Sequence, residues 1–306
     1  MGLPPMAAKP GDVTSLALVT GASGGIGRAT ALALAASGAD VAVVDLSLER
    51  AESVARECEA LGATAAAWGL DQCDPDAAYG LPVLVQTTFG RVPSKVLLNA
   101  GIGSFAPFLD MAPEVWRRTI DVNLTGTFYL AQAFARAMIS GGHPGSIVFT
   151  ASSGATTVCD QLSAYCASKA AVLMLARHMA TELGPARIRT NAVLPGVIAT
   201  DMTAPMLERA RWQNMVARET PVGRAGRPEE VARLVAFLLS DDAAYINGEG
   251  IAIDGGSTLH GYPRWFAQDY STTDVNDWKT RFAEYPYAST NGERPPPPSH
   301  DGARHG

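Results

Sequence analysis

Residues 20–27 read TGASGGIG and stand between two short apolar runs, Leu16–Thr20 (LALVT) and Val41–Asp45 (VAVVD), with an alanine-rich helical pattern after the glycines. In a strand–turn–helix unit, glycines permit positive φ and let backbone N–H groups at a helix N-terminus approach an anion, whose charge the helix dipole favours. The second apolar run then returns parallel to the first, because a crossover helix separates them. Gly21, Ser23, Gly25, Ile26 and Gly27 are therefore expected to cradle a dinucleotide pyrophosphate. Their spacing is GxxxGxG rather than GxGxxG. The strand–helix context, more than the glycines alone, carries the reading.

The same rhythm continues along the chain. Thr64–Gly69, Lys95–Asn99, Ser146–Ala151, Arg189–Val193 and Gly250–Asp254 read as further strands, with helical patterns around 49–61, 113–139, 162–183 and 228–240. Near-continuous apolar strands alternating with helices predict an α/β fold, a doubly wound, Rossmann-like parallel sheet covered on both faces. One crossover looks defective: DPDAAYGLPVLVQTTFGRVP carries Gly80 and Pro82 where a helix belongs, so a short or broken helix is expected there.

A length of 306 residues with 47% hydrophobic content suits one large α/β domain plus tails. The expected organisation is a flexible segment at 1–12, a Rossmann-fold domain at 13–258, an aromatic-rich arm at 259–287 and a disordered tail at 288–306 that includes Pro295 to Pro298. A net charge of −6 without a Lys/Arg cluster argues against nucleic acid or an anionic membrane as partner. No long apolar run follows a basic stretch at the start, and a cytoplasmic location is expected. Cys58, Cys73, Cys159 and Cys166 lack zinc-type or disulfide-scaffold spacing, and reduced, mostly buried thiols are expected, with Cys166 notable for its place beside Tyr165. His143, His178 and His260 form no ligand pattern with carboxylates, so no metal is expected.

Asp45 ends the second apolar run, where a carboxylate can accept hydrogen bonds from adenosine ribose hydroxyls and would repel a 2′-phosphate. No cation stands in the loop before Gly27 or at Leu46 and Ser47, which favours NAD over NADP. Asp71 could reach adenine from the third strand's end or could cap a helix, a role for which Asp74 competes. Further on, SAYCASKAAV at 163–172 puts Tyr165 and Lys169 on one helix face, as chemistry or as surface decoration.

Taken together, TGASGGIG, LNAG at 98–101, DVNLTG at 121–126, a serine at a strand end, YCASK and PGVIAT resemble the short-chain dehydrogenase/reductase family, in order and at family spacing over roughly residues 12–258. The resemblance implies a general acid/base role for Tyr165, with Lys169 as its tuner and a ribose ligand. Such a role is physically sensible only if the phenol is helped to ionise, since its ordinary pKa is about 10; an ammonium and a positive nicotinamide ring would both help. Ser152 would hold the substrate oxygen, with Ser153 as the alternative. Asn123 would help hold a water that links Lys169 to solvent. Asn99, Ala100 and Gly101 would lie beneath the cofactor, and Pro195, Gly196, Ile198 and Thr200 would orient the nicotinamide carboxamide. Position 98 is Leu98 where the family usually has a second asparagine.

Residues 200–224 correspond to the family's mobile substrate loop. Met202, Met206 and Trp212, with Phe105, Val158 and Gln161, could line an apolar pocket for a secondary alcohol or its ketone. Arg209 and Arg211 keep a phosphorylated or CoA substrate open. The leading expectation is an NAD-dependent alcohol dehydrogenase acting on a small molecule; the alternatives are an NADPH-dependent biosynthetic ketoreductase and a non-catalytic dinucleotide-sensing regulator. The aromatic arm is expected to reach a neighbouring subunit of a homotetramer.

Overall fold

Strand β1 (Leu16–Thr20) is buried along its whole length, and its residues divide between two cores. Leu16 and Leu18 join one apolar cluster, while Ala17 and Val19 join the other. This is the two-residue period of a strand covered on both faces. The computed structural model describes residues 15–259, so the N-terminal segment at 1–12, the arm beyond Leu259 and the tail at 288–306 lie outside the described residues.

In chain order, β1 is followed by α1 (Gly25–Ala36), β2 (Asp40–Asp45), α2 (Leu48–Ala60), β3 (Ala65–Gly69), α3 (Pro75–Phe89) and β4 (Lys95–Leu98). Then come α4 (Pro113–Ile120), α5 (Thr127–Ser140), β5 (Gly145–Thr150), α6 (Ser163–Leu183) and β6 (Ile188–Pro195). The described chain closes with α7 (Ala204–Leu207), α8 (Ala210–Glu219), α9 (Pro228–Leu239) and β7 (Gly250–Ile253). The strands form one sheet in the order β3-β2-β1-β4-β5-β6-β7, every neighbouring pair parallel. The expected doubly wound α/β sheet is therefore the one observed. Residues of α3, α5 and α6 fill the core on one face, and those of α1, α2 and α9 fill the other. Strand order reverses between β1 and β4, and a crevice opens there at the carboxyl ends.

The defective-looking crossover is a correction. Helix α3 runs unbroken over 15 residues with Pro82 inside it. Proline and glycine inside a helix cost about 3 and 1 kcal/mol. Against this, burial of Leu81 and Val85 contributes roughly 1.5–3 kcal/mol each. The ends are also well made: Asp74 accepts from the backbone N–H of Asp76 and Ala77, Pro75 opens the first turn, and Gly90 stops the helix at φ 70°. On its flank, the Tyr79 hydroxyl donates to Gln132 of α5 at 2.8 Å. Packing on α5 thus overrides local propensity.

The expected helix at 113–139 is also modified, because a π-helical turn at Asp121–Gly126 separates α4 from α5. Of the four cysteines only Cys58 is buried; Cys73, Cys159 and Cys166 are partly exposed thiols, against the expectation of mostly buried ones. Among the described residues there is no helix long and apolar enough to cross a membrane, and no group of three His, Cys, Asp or Glu placed to hold a metal ion.

Candidate active site

A cavity of about 360 Å3 lies at the carboxyl ends of β1, β4, β5 and β6, bounded by the glycine turn, Asp45, Tyr165, Lys169 and the start of the 200–224 segment. A larger cavity, about 970 Å3, opens at the opposite ends of the same strands around Ser15, Lys95, Ser146 and Arg189. Convergent reactive groups, rather than volume, mark the first as the candidate site.

The glycine turn is built by close backbone approach. Gly21 has φ 60°, and a Cβ there would lie 2.8 Å from the Ala100 Cα, so the β1 and β4 ends meet face to face. Gly25 opens α1 at φ 50° against Thr200, which leaves the first turn of the helix facing the cavity. Gly27 differs in kind. A Cβ at Gly27 would sit 2.0 Å from the Gly21 carbonyl oxygen, so this glycine packs the helix onto its own turn and does not line the cavity. The Thr20 hydroxyl, which sequence reasoning missed, accepts from the N–H of Asn99 and of Ala100 at 2.9 and 3.2 Å. Asn99 in turn donates to the Gly21 carbonyl and accepts from the Thr150 hydroxyl, both at 3.1 Å, which ties the ends of β1 and β5 together.

Asp45 accepts from the backbone N–H of Ser23 at 3.0 Å and lines the cavity at the end of β2. Leu46 and Asp71 do not line it. Leu46 is 67% exposed, a side chain turned to solvent at the β2–α2 corner. Asp71 accepts from the Cys73 N–H at 2.9 Å and faces Arg118, while Asp74 takes the capping role. Arg50 was missed altogether: it lines the cavity and pairs with Asp201 at 3.5 Å, both flanking Gly24. Its distance from Asp45 in sequence concealed it. Helix α2 brings it back to the mouth.

The side chains expected to react come from three places. Ser152 follows β5, is buried, and caps a short turn by accepting from the Gly154 N–H at 3.1 Å. It, and not Ser153, is the hydroxyl that favours the ionised form of Tyr165 in the first turn of α6. Lys169 is buried one turn further on, and its Nζ donates to the Thr150 carbonyl at 2.7 Å and lies 5.7 Å from the Tyr165 ring centre. Burial pulls the Lys169 ammonium down to about 8. The Tyr165 phenol is raised above its ordinary value: burial is the largest cause, the Ser152 hydrogen bond opposes it, and Cys166 and Cys159 add to it. In the protein alone, burial thus outweighs the Ser152 hydrogen bond and leaves the phenol raised, contrary to the expected tuning.

Asn123 sits in the π-helical turn, buried, with its amide fully engaged. Its Oδ1 accepts from the Ile102 N–H at 2.8 Å, and its Nδ2 donates to the Ile102 carbonyl at 2.9 Å and to the Ser168 hydroxyl at 3.0 Å. The wider turn aims this side chain sideways at the β4–α4 loop, consistent with the placement of such bulges at functional sites. Gly101 stands between Asn123 and Lys169; a Cβ there would meet Oδ1 at 3.1 Å and Nζ at 3.2 Å.

On the substrate side the expectations divide. Met202 lines the cavity, and a Cβ on Gly103 would lie 3.6 Å from the Tyr165 ring and 3.9 Å from the Met202 sulfur, so these three meet. Phe105, Val158 and Gln161 are exposed and outside the cavity wall, as is Trp212 on α8; Met206 on α7 is half-buried and also outside it. Pro195, Gly196, Ile198 and Thr200 all line it. The glycine cradle and the Asp45 carboxylate fit a dinucleotide: backbone can approach closely where a Cβ would collide, and an acceptor stands at the end of β2.

A family profile described as enoyl-(acyl carrier protein) reductase matches residues 21–258. The chain is 42% identical over 240 residues to an L-rhamnose 1-dehydrogenase (NAD(P)(+)) of Sphingomonas sp. (strain SKA58), covering 78% of this chain and 94% of that one. It is 42% identical over 250 residues to a (3R)-3-hydroxyacyl-CoA dehydrogenase of Mus musculus (79% and 96% covered) and 39% identical over 244 residues to a cyclohexanol dehydrogenase of Acinetobacter sp. (strain SE19) (79% and 94% covered). Among solved structures, a short-chain type dehydrogenase/reductase from Mycobacterium marinum superposes with a TM-score of 0.76 at 41% identity, covering 80% of this chain and 95% of that one. With a parallel sheet, a glycine turn at its switch point and a half-buried tyrosine beside a buried lysine on one helix, this chain belongs to the short-chain dehydrogenase/reductase family and is an NAD(P)-dependent oxidoreductase of alcohols and ketones.

Proposed function

We propose that the protein interconverts a mainly apolar secondary alcohol and its ketone with a preference for NAD. The observation that carries this reading is the Tyr165 phenol lining the cavity beside Lys169, with Gly103 and Met202 against its ring. During oxidation, Ser152 holds the substrate oxygen while Tyr165 Oη takes the hydroxyl proton; reduction runs the same transfer backwards. When bound, the nicotinamide accepts or returns the hydride. Lys169, anchored on the Thr150 carbonyl, supplies a positive charge beside the phenol and a donor for a ribose hydroxyl. Asn123 fixes the Ile102 backbone and, with its Oδ1 and the Lys169 Nζ both against Gly101, stands where a relay from Lys169 toward solvent would pass.

NAD preference rests on Asp45, whose carboxylate lines the cavity and accepts the ribose hydroxyls in this reading. A second reading has one specific support. Arg50 lines the same cavity and could pair with a 2′-phosphate, which would make NADPH usable and the enzyme a ketoreductase. The apolar substrate rests on Met202 and Gly103 near the phenol, with exposed Phe105 and Val158 on loops joined by the Ala106 N–H to Gln161 carbonyl bond of 2.9 Å. The test is a panel of cyclic, aryl and aliphatic secondary alcohols, each assayed with NAD and with NADP. Activity confined to polyols or acyl thioesters would overturn the substrate class, and equal or better use of NADP would overturn the cofactor preference.

The homotetramer is part of the same proposal. Its supports are the aromatic composition of residues 259–287 and the large apolar side chains exposed on α4 and α5, Trp116 and Phe128. Truncation after Ser257 should weaken assembly and raise KM while leaving cofactor binding largely intact. A truncated protein that stays tetrameric with unchanged kinetics would remove the arm from the account.

A further inference from the structure

Two thiols and the Ser152 hydroxyl converge on the backbone of Gly154. A side-chain carbon placed there would lie 3.0 Å from the Cys166 sulfur, 3.5 Å from the Cys159 sulfur and 3.5 Å from the Ser152 Oγ. Cys159 belongs to the loop that follows the Ser153–Ala155 turn, and Cys166 to the first turns of α6. Neither is fully buried. The chain between them folds back on itself, with the Leu162 N–H on the Cys159 carbonyl at 3.2 Å and the Cys166 N–H on the Leu162 carbonyl at 2.8 Å. Burial and then the proximity of Cys166 raise the Cys159 thiol to about 11, and both sulfurs act on the Tyr165 phenol. The pair is thus close in space and electrically joined to the reacting residue.

We propose that Cys159 and Cys166 form a dithiol–disulfide site whose oxidation by a peroxide shifts Ser152 and lowers turnover, the second half resting on the Ser152–Tyr165 reading above. The Cys166 sulfur, as thiolate, attacks a peroxide oxygen; the O–O bond breaks and hydroxide leaves, to be protonated to water. The Cys159 sulfur then attacks the sulfenic sulfur and gives up its proton as the S–O bond breaks, releasing a second water. Two thiols become one disulfide, and the two electrons reside in the two waters formed from the peroxide.

Closing the bond brings the sulfurs to about 2.05 Å, well inside non-bonded contact. The loop must give rather than the helix, because α6 is a 21-residue hydrogen-bonded ladder. That loop already holds Gln161 at φ 64°, a left-handed conformation uncommon for a residue with a Cβ. Its movement reaches Ser152 through Gly154, whose N–H donates to the Ser152 Oγ, and reaches the Phe105 loop through the Ala106–Gln161 bond.

The experiment treats the full chain with hydrogen peroxide, blocks free thiols and maps linkages by mass spectrometry alongside kinetics. Expected are a Cys159–Cys166 linked peptide, a fall in kcat/KM of about tenfold or more, recovery with dithiothreitol and nearly unchanged NADH binding. Cys159→Ser and Cys166→Ala should each keep their activity through the same treatment. The proposal is overturned if the two thiols stay unlinked, if linkage leaves kcat/KM unchanged, or if both variants lose activity as the wild type does. Should Tyr165→Phe retain full turnover, the catalytic reading fails separately, while the linkage in the mass spectrum still stands.

Discussion

The Lys169 ammonium donates to the carbonyl oxygen of Thr150 at 2.7 Å, a helix side chain anchored to the end of a neighbouring strand. That anchor holds a charge in the interior, where burial lowers its pKa from 10.5 to about 8. Between those values the unfolded chain keeps a proton that the folded protein has released. This group's contribution to stability is therefore complete above the unfolded value and is lost as pH falls through about 8. The stability of wild type minus that of Lys169→Met should rise between pH 7 and 10, by about 3 kcal/mol at most. Denaturant titrations at several pH values measure it. A difference independent of pH would show that Lys169 is not a buried charge.

Tyr165→Phe keeps the ring and removes only the hydroxyl on which Ser152 acts. Turnover should fall about 10²- to 10⁴-fold, the usual worth of positioned acid–base catalysis, with NADH affinity close to wild type. Retention of more than about a tenth of kcat/KM, a loss under roughly 1.4 kcal/mol, would refute the assignment.

Cofactor choice should respond in opposite directions at Asp45 and Arg50, which line one cavity. Asp45→Ser removes the repulsion of a 2′-phosphate and should lower the NAD/NADP ratio of kcat/KM by about tenfold, the scale of one charged hydrogen bond. Arg50→Ala should raise that ratio. Paired assays with both cofactors read both effects, and a ratio unmoved by either change would place the adenosine ribose elsewhere.

Gly27→Ala sets two effects against each other. Alanine in a helix gains about 1 kcal/mol over glycine, yet the new Cβ would lie 2.0 Å from the Gly21 carbonyl oxygen, a backbone atom that cannot rotate away. Overpacking of this kind costs about 1–3 kcal/mol or more. The variant should be less stable in thermal unfolding and should bind NADH more weakly, because the turn that moves is the cradle itself. A variant as stable as wild type would mean that the turn relaxes freely.

The sheet was legible because its period is local. The short, near-continuous apolar runs LALVT and VAVVD, and glycines before a helical pattern, follow from residues a few positions apart, and so does the i, i+4 placement of Tyr165 and Lys169. What escaped depends on distant chain. Pro82 stays in a helix because α5 packs on it, and Arg50 reaches the cavity mouth because α2 turns back toward Asp201.

Motif order determined the family and the strand–helix alternation, and singled out the candidate reacting side chains. Only the tertiary structure decided that Ser152 rather than Ser153 acts on the phenol, that Gly27 serves packing while Gly21 and Gly25 face the cavity, and that Cys159 and Cys166 share one small space. It also decided that burial raises the Tyr165 pKa. The reason is physical: side-chain type and spacing along a helix or strand are written in the chain, whereas desolvation and through-space contact exist only once distant elements close around a site.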